Sequence, residues 1–416
     1  TTGDRNVAVG ATSLDACTEG QYNVAVGNDA LTTLTTGDRN TAVGLQAGAA
    51  ITTGNYNSFF GADSGDANTT ASGITAIGCF SLSANITGAN NTAVGYASLQ
   101  NNTTGANNTA HGYFALVTNT TGVDNNAFGL SALQACTTGY NNSAFGGGAT
   151  YLTGALAGVT TGYRNSGFGN GAAGQTTTGV HNVAVGDASL YTNSTGSNNV
   201  AVGQGALLAN TSASGNTAVG YNGGIATTTG AANVYVGISA GSYANAHTTG
   251  SGATYLGAYA HPSAVGVSNE LVIAAGGLQA GKGTNTGFIS PNTGGVYQGN
   301  NASTWSQTSD RRLKKNIVDS TIGLAEINQL QVRNFEYRTA DEVTELEAHT
   351  VIKNSGVQVG VIAQEIKEIL PKCVKEESTG VLSVDANNLT WHMVKAVQEL
   401  STALDAALAR IATLEG

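Results

Sequence analysis

A signature of the form Asn-x-Ala-x-Gly returns along this chain with a fixed step, and that step narrows the possible folds more than any other feature. "NVAVG" ends at Gly10, Gly27 and Gly186, and "NTAVG" ends at Gly44, Gly95 and Gly220. Variants end at Gly61, Gly78, Gly112, Gly129, Gly146, Gly169, Gly203, Gly237 and Gly257. The step is 17 residues, except for 23 between Gly146 and Gly169 and 20 between Gly237 and Gly257. A unit this short cannot bury a core of its own, so fifteen copies imply stacked units that bury one another.

Within the consensus T-T-G-x-x-N-x-A-V-G-x-x-A-L-x-x-x, the residues around Ala-Val form a short strand bounded by Asn and Gly turns. The residue before the closing Gly is apolar (Val9, Phe60, Ile77, Phe128, Val202), with His111 as the exception, and the one before that is almost always Ala (Ala8, Ala42, Ala93, Ala184). Successive strand side chains point to opposite faces, so one face carries a medium-sized apolar residue and the other a methyl. The Ala-Leu pairs, as at Ala30-Leu31 and Ala132-Leu133, add a second short apolar edge. Fifteen coils at ~4.8 Å would extend on the order of 70 Å. With so little apolar bulk per coil, we expect three parallel chains to bury the Ala and Val faces against each other as a homotrimer. Repeated Asn6, Asn23, Asn40, Asn91, Asn108 and Asn182 are expected to form stacked hydrogen-bonded ladders in the turns.

Composition supports a thin repetitive fold. The chain has 58 Gly and 3 Pro in 416 residues and few aromatics, unlike an ordinary enzyme or a disordered polyelectrolyte. A net charge of −10 argues against a nucleic-acid partner. Cys17, Cys79, Cys136 and Cys373 have no framework spacing and read as unpaired, and the six His show no metal spacing, so no cofactor or metal is expected. No apolar run approaches the ~18 residues of a membrane span, and no membrane insertion is expected. The chain opens in mid-repeat with "TTGDRN", so the natural protein is expected to extend upstream. Sequons such as those at Asn68 and Asn119 arise readily in an Asn/Thr-rich repeat, and glycosylation is not expected.

Residues 1–300 hold ten acidic and four basic residues, whereas 301–416 hold sixteen and twelve. The change falls at "TSDRRLKKNI" (308–317). Taken alone, this stretch could be a solvated basic helix start with Asp310 as its N-cap. Further on, Met393, Val397, Leu400, Leu404, Ala407, Ile411 and Leu414 follow alternating steps of four and three, the a/d seam of a coiled coil from about residue 389; a single amphipathic helix on a globular core is the alternative.

Two resemblances then become specific. "ITGANNTAVGYASLQNNTTGANNTAHG" (86–112) resembles the head repeats of trimeric autotransporter adhesins, whose N-x-A-x-G units build trimeric β-rolls, and similar repeats occur in phage tail fibres. The likeness covers residues 1–257, although the 17-residue period departs from the shorter adhesin repeat. "SDRRLKKNI" (309–317), "GLAEINQLQVRNFEYR" (323–338) and "VGVIAQEIKEILPKCV" (359–374) resemble the intramolecular chaperone domain of endosialidases and related phage tail spikes and fibres, also known as the S74 peptidase domain. That resemblance implies a Ser309–Lys314 dyad, with Asp310 in support, that cuts the chain once between Thr308 and Ser309. A lysine can serve as the base when burial or cationic neighbours favour its neutral form; Arg311, Arg312 and Lys315 would help and Asp310 would oppose.

The expected fold is therefore mainly β: a trimeric β-roll or β-solenoid rod (1–257), a β-rich transition (258–308) and a smaller α+β chaperone domain (309–416) ending in a coiled-coil helix. The expected function is a trimeric phage tail fibre, on the virion or otherwise extracellular, that reaches a host cell-surface glycan or protein receptor. The alternative is a bacterial trimeric surface adhesin, which the absence of a membrane β-barrel from this sequence disfavours. A polysaccharide-degrading spike is disfavoured as well, because Asp63, Asp66, Asp124 and Asp187 form no evident pair across a cleft. The expansions at 146–165, with Tyr151, Tyr163 and Arg164, and at 242–252 are expected to bulge, more as tolerated insertions than as receptor loops.

Overall fold

The Asn-x-Ala-x-Gly segments are three-residue strands, from β1 (Val7–Val9) to β15 (Thr254–Leu256). The structure, a computed structural model, describes residues 3–148, 153–275, 278–290, 296–298, 310–339, 341–344, 355–376 and 380–415. Each strand pairs in parallel with its equivalent in the next repeat, as in Val7 with Val24 and Ala8 with Ala25. The two longer steps keep register, Phe145 facing Phe168 and Val236 facing Leu256, so their extra residues are absorbed outside the strands. The stack runs on through β16 (Leu271–Ala274) and β17 (Gly287–Ser290), both parallel. An antiparallel strand, β18 (Val296–Gln298), completes an 18-stranded sheet. A parallel β-solenoid, followed in the chain by a small α+β region, is thus the observed architecture. The chain divides into two units, Thr1–Thr308 and Ser309–Gly416.

The alternation of the strands resolves in a way that corrects one expectation. The methyl face is not reserved for another chain: Ala25, Ala42, Ala76, Ala93 and Ala110 are fully buried within this one. Their neighbours are the leucines of the Ala-Leu edge, Leu31, Leu82, Leu99, Leu116 and Leu133, also fully buried. The coil closes on itself because a methyl leaves room for one leucine opposite. Those leucines adopt left-handed backbone, with φ of 51° at Leu31 and 50° at Leu99, which costs about 1–2 kcal/mol each. Full burial of a leucine contributes about 1.5–3 kcal/mol, and the strained turn is also held by coil-to-coil bonds such as Leu31 N–H to the Ala47 carbonyl at 3.1 Å. Burial and the ladder therefore outweigh the strain.

The expected asparagine ladder is present and runs inside the solenoid. Asn108 donates from Nδ2 to Gly122 O at 2.8 Å and to Asn91 Oδ1 at 3.2 Å, and its Oδ1 accepts from Asn125 N at 3.0 Å. Position 74 is an isoleucine, yet its backbone N–H still reaches Asn57 Oδ1 at 2.9 Å. A second ladder, which sequence reading did not single out, links Asn85, Asn102 and Asn119 at 2.7 Å per step. The sequon residues Asn68 and Asn119 are fully buried, consistent with the expectation that they are not glycan sites. All four cysteines are free; burial pushes the Cys136 thiol up to about 12.

Toward its C-terminal end the solenoid changes its filling. Tyr235 and Tyr255 replace the inward alanine and are fully buried, as are His247 and, at 1% exposure, Glu270. His247 Nε2 faces Val267 O at 2.8 Å and its Nδ1 faces the Tyr235 hydroxyl at 2.7 Å. A carbonyl can only accept, so Nε2 carries a proton, and in the neutral ring Nδ1 then accepts the tyrosine O–H. The Tyr255 hydroxyl donates to Glu270 Oε2 at 3.0 Å. Burial holds the His247 pKa below its usual value, partly offset by Val267 O and Glu270. The unfolded chain then binds the proton more readily, so this stability is fully present above a pH of about 6.5 and is lost as pH falls through the folded value. Calorimetry should show the solenoid midpoint dropping on acidification from neutrality, with a flatter profile for His247→Gln; parallel profiles would contradict this account.

Candidate functional site

The sequence places its chemistry at the start of the second unit. Ser309 and Thr308 lie outside the described residues, so the structure describes the dyad only through Asp310 and Lys314. Asp310 caps a short 3-10 turn, Arg311–Leu313, and its Oδ1 accepts from Arg312 N at 2.8 Å. The Arg312 side chain also bonds both carboxylate oxygens, Nη2 meeting Oδ2 at 2.6 Å. This pairing holds the Asp310 carboxyl below its ordinary range. Asp310 is therefore an N-cap, the local role that sequence alone offered for it. Lys314 ends the turn in extended backbone, its N–H bonded to Arg311 O at 3.1 Å, and the residue is exposed.

The rest of the unit is thinly built. Helix α1 (Leu324–Ile327) is followed by the antiparallel pair β19 (Arg333–Phe335) and β20 (Gln358–Gly360). Then come α2 (Ala363–Ile369), a second antiparallel pair, β21 (Val374–Glu376) and β22 (Leu382–Val384), and the 30-residue helix α3 (Ala386–Glu415). Only Ile366, Leu370 and Cys373 form its buried cluster among the described residues. Glu399 of α3 accepts the Leu324 N–H at 2.8 Å and so ties α1 to α3. A Cβ on Gly323 would lie 2.3 Å from that carboxylate, so a larger residue before α1 would push the Glu399 side chain aside. Arg333 and Glu365 pair at 3.0 Å on the surface, a contact worth little by itself. Neither Glu399 nor Arg333 stood out in the sequence, because the partners lie 75 and 32 residues away.

Helix α3 presents its apolar seam to solvent. Met393, Val397, Leu400, Leu404, Ile411 and Leu414 are 49–79% exposed, and Leu408 beside them is 54% exposed. On the first unit, Tyr163 and Arg164 do not bulge as expected. They occupy ordinary coil positions, Tyr163 stacking on Tyr140 at 4.6 Å and Arg164 approaching His181 at 3.5 Å. The surplus residues of that expansion precede them, and Tyr151 lies outside the described residues. Among the described residues no group of side chains could hold a metal ion, and no helix is long and apolar enough to cross a membrane.

Residues 309–375 match the peptidase S74 family, described as the chaperone of endosialidase. The match begins at the boundary between the two units and covers the 3-10 turn, both α1 and α2, and the first antiparallel pair. No solved structure matches the chain. A β-solenoid followed by a chaperone-of-endosialidase domain fits a tail-fibre-like protein.

Proposed function

We propose that the chain is a subunit of a homotrimeric phage tail fibre whose solenoid reaches a receptor, glycan or protein, on the host surface. In this reading residues 309–416 are an assembly device that brings three chains together and then cuts itself off between Thr308 and Ser309. The observation that carries it is the state of the second unit. A unit of this size normally buries a substantial core, yet among its described residues the fully buried cluster is Ile366, Leu370 and Cys373 with a partly buried fringe, and the α3 seam is left bare. Val397, Leu404 and Ile411 at one seam position and Met393, Leu400, Ala407 and Leu414 at the other, with Leu408 alongside, form a face broader than a two-stranded seam needs. Three such helices would cover it.

Ser309 is the nucleophile and Lys314 its base in this proposal, with Asp310 shaping the turn between them through Arg312. A lysine acts as a base only when desolvation or cationic neighbours favour its neutral form. Lys314 is exposed in the single chain, so cleavage waits on a neighbouring copy to cover it. That order is useful: the device is released only after assembly.

Native mass spectrometry on the wild type beside Ser309→Ala and Lys314→Arg tests this. The wild type should yield a trimeric fragment ending at Thr308, and either variant should lose at least about a thousandfold in cleavage rate. A wild type that stays whole and trimeric would make the second unit a permanent cap. A monomer would remove the fibre reading altogether.

A further inference from the structure

We infer that the outward face of the strands is the seam along which copies of this chain lie side by side in parallel, and that a block around Phe128–Phe168 sets their register. The inference rests on the trimeric reading above, keeps for the seam the valine face expected from the sequence, and adds to it the register key. The outward strand positions form a continuous face over sixteen strands, none of which carries Asp, Glu, Lys or Arg at its first or third residue. Third-position side chains remain open to solvent along the whole stack: Val9 is 56% exposed, Phe60 40%, Phe168 41%, Val219 40% and Ile273 36%. The first residues are largely Thr, Ser and Val and the third residues are apolar except His111; an uncharged face with an exposed apolar column of that extent marks a contact surface.

The repeat itself identifies the occupant. Rows on this face recur at the strand spacing of ~4.8 Å over on the order of 70 Å. A globular partner or a glycan chain has no reason to match that step row after row. An identical solenoid lying parallel does so automatically, because every row then meets its own equivalent. The absence of charge lets like meet like without repulsion.

Identical repeats bring a hazard. A shift by one coil would restore nearly the same contact wherever the third-position residue is valine, as at Val185, Val202, Val219 and Val236. Phe60 and Ile77 interrupt the valines briefly, and the longest interruption is the block from His111 to Phe168. Phe128, Phe145 and Phe168 stack almost parallel, with ring centroids 4.7 Å and 5.0 Å apart. His111 stands edge-on to Phe128 at 6.0 Å and is the one titratable side chain in the column. In register, imidazole meets imidazole and a Phe block meets a Phe block. A slip of one coil sets the imidazole against Val94 or Phe128, where its nitrogens find no partner, and leaves a Phe row against a smaller one.

The test places a spin label at exposed Thr104→Cys, in full-length chain with Cys17 and Cys79 changed to Ser, and reads distances between copies by pulsed electron resonance. The wild-type seam should give one narrow distance. Changing His111, Phe128, Phe145 and Phe168 together to Val, the residue most other coils carry, should keep the trimer but spread the reading into several longer distances. A distance that stays single and narrow overturns the register key. Val219→Asp, far from the block, should reduce the trimer population at least tenfold; an unchanged trimer would move the seam to another face while leaving the assembly reading intact. A wild type that is monomeric by native mass spectrometry instead defeats that reading and the seam with it.

Discussion

Phe59→Ala should destabilise the solenoid by about 3–5 kcal/mol, and adding Gly48→Leu and Gly65→Leu should return most of that loss. Phe59 takes the inward position that most coils give to alanine and is fully buried. The leucine position of its own coil, Gly65, and that of the preceding coil, Gly48, are glycine in compensation. A Cβ on Gly48 would lie 2.8 Å from the Phe59 ring and one on Gly65 only 2.2 Å from it. One phenylalanine thus fills the volume that two leucines fill elsewhere. Left-handed backbone does not prevent the rescue, since leucine already adopts it at the equivalent positions, with φ of 51° at Leu31 and 53° at Leu82. Thermal unfolding followed by circular dichroism compares the three proteins. If the triple variant is no more stable than Phe59→Ala alone, volume exchange is not what links these positions. Tyr235 with Gly224 and Gly241 repeats the arrangement, with a Cβ on Gly241 placed 2.3 Å from the ring.

Asn125→Ala should cost about 3 kcal/mol or more, an unusually large effect for a polar residue in a repeat. Its Nδ2 donates to Gly139 O at 2.8 Å and to Asn108 Oδ1 at 3.2 Å. Its Oδ1 accepts from both Asn142 N and Asn142 Nδ2, at 3.0 Å and 3.1 Å. Removing it strands several groups inside the solenoid, each at about 1–3 kcal/mol. Asn101→Ala, on the exposed surface two coils away, should stay within about 0.5 kcal/mol. Hydrogen exchange can localise the effect: protection should fall at Asn142 and the coil around it. Equal stability of the two variants would show that the ladder residues are interchangeable with surface asparagine.

The two units differ in what holds them. In the solenoid each coil is held by its neighbours, through backbone ladders, two asparagine ladders and a narrow file of alanine and leucine. Among the described residues of the second unit buried side chains are few, and the apolar stripe of α3 is exposed. If the second unit is the assembly device proposed above, the abrupt change of composition near residue 309 marks where assembly matters most.

Repetition made much of this legible in the sequence. A fixed step of 17 residues determined the solenoid, its strand positions and the first asparagine ladder, because a stacked coil must set identical residues above one another. The motifs from Ser309 onward likewise indicated the chaperone segment, and the four-three spacing indicated the α3 seam. Alternation within a strand defines two faces but not which of them lies inside. The tertiary structure decided that, since alanine is inward only because the leucine of the same coil folds beneath it. It also decided where the stack ends. Strands β16 and β17 continue the ladder without the motif, because backbone groups pair whatever side chains they carry. The glycines around Phe59 and the partners of His247 were illegible for the same reason: which residues share a layer depends on how the coil closes, and spacing along the chain does not record it.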